Sequence, residues 1–176
     1  MTPLTDTPAW LFCPADRPDR YRRALEACEV VIIDLEDAVG PADKSAARAQ
    51  VMTAAPWDTT RTIVRINAPG TPESDADVEA MRDCGIETLM LPMATSRSQV
   101  EALEGFAVVA LCETAAGILA APQIAEASNC IALTWGIEDL TLELGADGRD
   151  ATGRKRSCEA SVASSLPAGP GATTPR

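Results

Sequence analysis

The sequence contains no histidine. That absence excludes Ser-His and Cys-His catalysis and any imidazole metal ligand. Whatever chemistry the chain performs runs on carboxylates, arginine, lysine, the backbone or a metal held by oxygen, which favours Mg²⁺, Mn²⁺ or Ca²⁺. Aromatic residues are scarce, with three Trp, two Phe and one Tyr in 176 residues. The core must therefore be built from Val, Ile, Leu, Ala and Met. No apolar run approaches the roughly 20 residues that span a bilayer. The N-terminus lacks the basic-then-apolar pattern of a signal peptide, so a cytoplasmic globular protein is expected. The cysteines, Cys13, Cys28, Cys84, Cys112, Cys130 and Cys158, form no Cys-x-x-Cys pair. They read as small, reduced and mostly buried residues rather than a zinc site. Basic residues are also short, 15 Lys and Arg against 26 Asp and Glu, for a net charge of −11. Phosphate repels such a chain, which argues against nucleic acid or an anionic membrane as its main partner.

What is present is a rhythm of short apolar runs between helix-like segments. The expected strands are Trp10–Cys13, Val30–Leu35, Thr62–Asn67, Thr88–Leu91, Ala107–Cys112 and Cys130–Thr134. Several are continuously apolar, as in Val30-Val31-Ile32-Ile33, the pattern of parallel strands covered on both faces. Helices are expected over Pro18–Ala27, Asp43–Ala54, Ser74–Cys84, Ser96–Leu103 and Ala115–Ala127. Asp43 is placed as a cap, Gly85 as a C-terminal stop and Pro122 as an interruption. Repeated βα units of this kind build either a doubly wound sheet or part of a (β/α)₈ barrel. No Gly-x-Gly-x-x-Gly follows the first strand, which weakens the dinucleotide-binding alternative. A full barrel takes about 250 residues, so the fold class expected is an incomplete TIM (β/α)₈ barrel of about six βα units. Beyond residue 150 the composition changes: residues 151–176 hold four basic residues and one acidic, and end in a Pro/Gly/Ala/Thr-rich stretch. The expected division is a partial-barrel unit over 1–150 and a disordered tail over 151–176.

In parallel α/β folds, functional groups gather beyond the carboxyl ends of the strands. The residues found there are Asp16-Arg17, Asp34-Leu35-Glu36-Asp37, Arg65-Ile66-Asn67, Pro92-Met93, Glu113-Thr114 and Gly136-Ile137-Glu138-Asp139. Glu113 follows a buried apolar run, where an acid is costly unless paired or bound to metal. Asp139 has the position of a helix N-cap as well as that of a ligand. Asp34, Glu36 and Asp37 suit either a solvated, capped loop or a functional cluster. Arg65, inside an apolar strand, is either a structural ion-pair partner or a clamp for an anion.

Six of these segments together carry a resemblance. Leu11-Phe12-Cys13-Pro14-Ala15-Asp16-Arg17-Pro18, Asp34-Leu35-Glu36-Asp37-Ala38-Val39, Arg65-Ile66-Asn67, Leu91-Pro92, Glu113-Thr114-Ala115-Ala116-Gly117 and Trp135-Gly136-Ile137-Glu138-Asp139-Leu140 stand in order and at matching spacing. The chain resembles the citrate lyase β-subunit-like proteins of the HpcH/HpaI aldolase/citrate lyase family over about residues 8 to 150. The resemblance implies a (β/α)₈ barrel, a homotrimer and Mg²⁺ (with Mn²⁺ as a substitute) near the barrel mouth. It implies cleavage or formation of β-hydroxyacyl-CoA thioesters of the citryl-, malyl- or citramalyl-CoA type. By position, Glu113 and Asp139 would bind the metal, and Arg65 would grip the substrate carboxylate. Glu36 and Asp37 would act through water in the metal's outer shell, and Arg17 would hold the acyl-CoA or its own loop. Two departures stand out. Met93 occupies a position where the family commonly has Lys. The match also stops near Arg149-Asp150, for which a frameshift or premature end of the coding sequence is the expected explanation. The alternatives are a non-catalytic fragment that binds metal or a partner subunit, and a pyruvate-type aldolase acting on free 2-oxo acids.

Overall fold

The computed structural model describes residues 9–143 and Gly145. The tail expected to be disordered lies outside the described residues. Among the described residues six strands alternate with six helices: β1 (Trp10–Pro14), α1 (Pro18–Ala27), β2 (Val30–Asp34), α2 (Lys44–Thr53), β3 (Thr62–Arg65), α3 (Pro72–Asp83), β4 (Thr88–Leu91), α4 (Arg97–Glu101), β5 (Ala107–Leu111), α5 (Ala115–Ala125), β6 (Cys130–Thr134) and α6 (Ile137–Glu143). A 3₁₀ turn over Pro41–Asp43 leads into α2. All adjacent strands pair in parallel, and their spatial order is their order in the chain. A doubly wound sheet reverses strand order about its first strand; a barrel wall does not. The sequential order therefore agrees with the incomplete barrel expected from the sequence. Among the described residues β1 and β6 each pair on one side only, so the sheet is open. No described helix is long and apolar enough to cross a membrane.

The two faces of the sheet are filled differently. Alternate residues such as Val31, Ile33, Val64, Leu89, Leu91, Val108 and Ala110 pack against the helices in one large cluster with Ala47, Val51, Met81 and Ile124. The intervening residues, Val30, Ile32, Ile63, Met90, Val109, Leu111 and Ala132, form a smaller cluster on the opposite, concave face. Strand side chains alternate between faces, so a continuously apolar strand serves both layers at once. Continuing that alternation to the carboxyl ends puts Asp34, Arg65 and Glu113 on the concave side. Strand β6 carries an irregularity there: Val108 pairs with Cys130 but Val109 with Ala132, so Ile131 is the extra residue of a bulge. A bulge re-aims the side chains beyond it.

The helices differ from the sequence reading in their details. Helix α5 runs through Pro122 rather than breaking there. The carbonyl that loses its amide donor belongs to Ile118, which is 40% exposed, so water can replace that bond. Asp43 has helical backbone angles and its side chain caps nothing, because the 3₁₀ turn already joins α2 without an extended residue. Thr71 is the working cap of α3, accepting from the Ser74 N–H. Asp139 is the third residue of α6 rather than its cap.

Candidate active site

Register brings the first two groups together. The β2–β3 pairing sets Asp34 directly opposite Arg65. Their side chains form a two-pronged ion pair, Arg65 Nε donating to Asp34 Oδ1 at 2.8 Å and Nη2 to Oδ2 at 2.7 Å. Asp34 is 2% exposed and Arg65 8%. The same carboxylate accepts the backbone N–H of Glu36 at 2.9 Å and of Ala38 at 3.1 Å, which folds the loop after β2 back over the strand end. Arg65 is also stacked on the Phe12 ring, 5.0 Å from its centroid. Burial works against the guanidinium's charge, but the Asp34 hydrogen bonds and the surrounding carboxylates outweigh it and hold its pKa above the ordinary value. The sequence left Arg65 as ion-pair partner or anion clamp. The structure supplies the ion pair and leaves the Nη1 end pointing at Glu36 and Asp37.

That end of Arg65 lies 3.1 Å from Glu36 Oε2 and 3.4 Å from Asp37 Oδ2. The Glu36 contact has ion-pair distance without hydrogen-bond alignment, so Oε2 is buried with no hydrogen-bonding partner. Burial pushes the Glu36 carboxyl up to about 8; Arg65 opposes the rise, while Asp37, Glu113 and Asp34 add to it. Asp37, by contrast, is open to solvent.

Glu113 extends from β5 on the same side and is 4% exposed. Its Oε1 accepts the backbone N–H of Met93 at 2.8 Å. Met93 adopts φ 50°, a left-handed conformation uncommon outside glycine, and in it the N–H faces Glu113. Burial raises the Glu113 pKa, the Met93 N–H lowers it, and the Asp139 carboxylate raises it again. Gly136 shows how close the two acids come. A Cβ placed there would sit 3.2 Å from Glu113 Oε2 and 3.6 Å from Asp139 Oδ2. The absent side chain leaves room for both carboxylates. Asp139 itself is exposed.

Glu36, Asp37, Arg65, Glu113 and Asp139 are thus brought to one mouth. Arg17 is not joined to them: its guanidinium forks onto Asp19, at 3.0 and 2.9 Å. The sequence reading did not single out Asp34 from its cluster, nor the Met93 backbone, nor Phe12. Asp34 was the most accessible of these, since an acid and a base each closing an apolar strand suggest cross-strand partners. The Met93 contribution comes from its backbone, on which side-chain type is silent.

The donor set fits a hard divalent cation. Among the described residues no group of three or more His, Cys, Asp or Glu forms a closed metal cage. Two carboxylates, one buried and one exposed, flank a space left by Gly136, and a buried carboxylate oxygen of Glu36 faces Arg65 without an aligned hydrogen bond. Mg²⁺ is held in this way, by one or two carboxylates with its remaining positions left to water and substrate.

The HpcH/HpaI aldolase/citrate lyase family model matches residues 9–107. A citrate lyase subunit beta-like protein of Mycobacterium tuberculosis is 46% identical over 160 residues, 90% of this chain and 58% of that protein. A (3S)-malyl-CoA thioesterase of Cereibacter sphaeroides is 32% identical over 141 residues, 73% of this chain and 50% of that protein. The chain therefore spans about half the length of the curated relatives it matches. Among solved structures, protein CitE from M. tuberculosis in complex with magnesium and acetoacetate superposes with a TM-score of 0.82 at 46% identity, over 89% of this chain and 66% of that one. The M. tuberculosis citrate lyase beta subunit complexed with oxaloacetate and magnesium gives 0.81 at 46% identity, over 87% and 69%. On sequence, sheet topology and the grouping of acids at the strand ends, this chain belongs to the HpcH/HpaI aldolase/citrate lyase family.

Proposed function

We propose that the chain carries the metal- and carboxylate-binding part of a Mg²⁺-dependent carbon–carbon lyase acting on a β-hydroxyacyl-CoA of the citryl-, malyl- or citramalyl-CoA type. One observation carries the reading: the buried Glu113 and the exposed Asp139 meet at Gly136, beside an arginine aimed into the same mouth. CitE structures described with magnesium and acetoacetate, and with oxaloacetate and magnesium, support it. So does one described with magnesium, acetoacetate and coenzyme A.

Glu113 and Asp139 would hold the ion. Bound there, Mg²⁺ supplies Lewis-acid stabilisation of oxygen charge as the carbon–carbon bond breaks. Arg65 anchors and orients the carboxylate of the 2-oxo acid fragment. Its side-on edge is already taken by Asp34, so the anchoring edge is the Nη1/Nη2 end. Glu36 and Asp37 flank that end and would act in the metal's outer shell through water. With a pKa of about 8, Glu36 can hold a proton at neutral pH or take one up, the property a general acid or base needs. Arg17, half-buried beyond β1, is assigned to the acyl-CoA or to its loop. The lyase unit is residues 1–150, and the assembly expected is a homo-oligomer.

Formation of acetyl-CoA and a 2-oxo acid from malyl-, citramalyl- and citryl-CoA, with and without Mg²⁺, tests the reading. Turnover of at least one thioester that needs the metal and falls about 100-fold or more in Arg65→Gln supports it. A folded chain that binds Mg²⁺ and turns over none of them favours a second reading, a metal-binding portion without catalysis. Met93, at a position where the resemblance leads one to expect Lys, favours that second reading. Cleavage of free 2-oxo acids without CoA would instead mark a pyruvate-type aldolase.

A further inference from the structure

We propose that Asp34 is the positioning residue of this site, fixing Arg65 so that a ligand carboxylate meets only the Nη1/Nη2 end of the guanidinium. The inference rests on the reading of Arg65 as the carboxylate anchor and adds a residue with no direct part in binding.

An ionised carboxylate has about four lone-pair sites. Asp34 uses four: Oδ1 accepts from Arg65 Nε and the Glu36 N–H, and Oδ2 from Arg65 Nη2 and the Ala38 N–H. At 2% exposure it has no lone pair and no surface left for a metal or a substrate. Its action on a ligand must pass through what it holds. It holds two things: the guanidinium, in plane, and the loop that carries Glu36 and Asp37. The Phe12 ring supports the same guanidinium from one face.

The consequence is directional. Arg presents two edges that can grip a carboxylate with paired N–H groups, the side-on edge at Nε and Nη2 and the end-on edge at Nη1 and Nη2. Asp34 consumes the first. The second is left facing Glu36 Oε2 and Asp37 Oδ2, and a ligand carboxylate must enter there. Without Asp34 the guanidinium would be free to turn either edge to the ligand, and the loop would lose two backbone anchors.

Calorimetry of pyruvate binding in saturating Mg²⁺ tests this with the full chain, Asp34→Asn, Asp34→Glu, Arg65→Gln and the Asp34→Asn/Arg65→Gln double variant. Asp34→Asn should weaken pyruvate about tenfold, while Mg²⁺ affinity without pyruvate changes less than about twofold. Asp34→Glu keeps the charge but moves the carboxylate by one methylene, and should not restore affinity. In the Arg65→Gln background the Asp34 change should cost nothing further. Full affinity in either Asp34 variant, or an undiminished loss without Arg65, would overturn the proposal. The Arg65 Nε–H resonance gives a readout independent of pyruvate. It should exchange slowly with water in the unaltered chain and rapidly in Asp34→Asn, and slow exchange in both would also overturn the proposal. Equal pyruvate affinity in Arg65→Gln and the unaltered chain would defeat the anchor reading instead, with the Nε–H signal still deciding whether Asp34 positions Arg65.

Discussion

Glu36 and Glu113 are carboxyls kept from water beside other carboxyls, and both consequences can be measured. Folded Glu36, with its pKa raised from 4.5 to about 8, binds its proton more tightly than the unfolded chain does. Its contribution to stability is therefore complete below about pH 4.5 and is lost as pH rises through about 8. In metal-free buffer the Glu36 contribution should make the urea midpoint fall between about pH 4.5 and about pH 8, and Glu36→Gln should flatten that fall. Equal slopes in the two proteins would contradict the burial of Glu36. For Glu113 the rise is also caused first by burial, and a metal must displace the proton it favours. Mg²⁺ affinity should increase as pH climbs from the ordinary carboxylate range through the raised pKa, and Glu113→Gln should abolish both the affinity and its pH dependence. Gly136→Ala presses a Cβ against Glu113 Oε2. It should cost about 1–3 kcal/mol in stability or metal binding, which paired melts with and without Mg²⁺ would apportion.

At the scale of elements, what fixes the strand ends is a set of connections between neighbouring helices and loops. Asp77, fully buried on α3, accepts from Arg48 Nε on α2 at 2.8 Å and from the Asn67 N–H and Nδ2 after β3 at 2.8 and 2.7 Å. Replacing it with Ala strands the two Asn67 donors and leaves the half-buried Arg48 with Glu73 as its remaining acidic partner. It should destabilise the chain by about 3–5 kcal/mol, read from denaturant midpoints. Helix α5 begins under Thr114, whose hydroxyl accepts the Gly117 N–H at 3.0 Å. A Cβ at Gly117 would lie 2.4 Å from the Ala94 carbonyl oxygen, so here glycine is required by close approach of two backbones. Much of this scale was legible. The six strands appear where continuous apolar runs placed them, because burial on both faces leaves no other composition open. The helix ends were less so, since Thr71 caps α3 three residues before the acidic run that drew attention to Ser74. Pro122 read as a break because sequence cannot show that Ile118, four residues before it, is partly exposed. The site was legible as residue types at strand ends. Which arginine edge is free, and that Met93 serves through its N–H, depend on register and backbone angles that side-chain patterns do not encode.

For the molecule as a whole, the sequential parallel sheet is what brings these distant residues together. Each βα unit adds its strand beside the last and delivers its polar end to the same rim. Residues from 12 to 139 therefore converge although no two of the anchoring segments adjoin in sequence. The price is an open sheet with unpaired edges on β1 and β6 among the described residues. The metal pair spans the last two of these strands, since Glu113 follows β5 and Asp139 lies in the helix after β6. Metal binding therefore reports whether this rim is assembled in solution. The thermal melt of the chain with and without millimolar Mg²⁺, beside a Glu113→Ala/Asp139→Ala double variant, tests that directly. At about ten times the dissociation constant the ion should add ~1.4 kcal/mol, a rise of about 4–5 °C for a unit of this size, and the double variant should show none. A cooperative melt that Mg²⁺ leaves unmoved, or one moved equally in the double variant, would contradict the assignment of Glu113 and Asp139 to the metal.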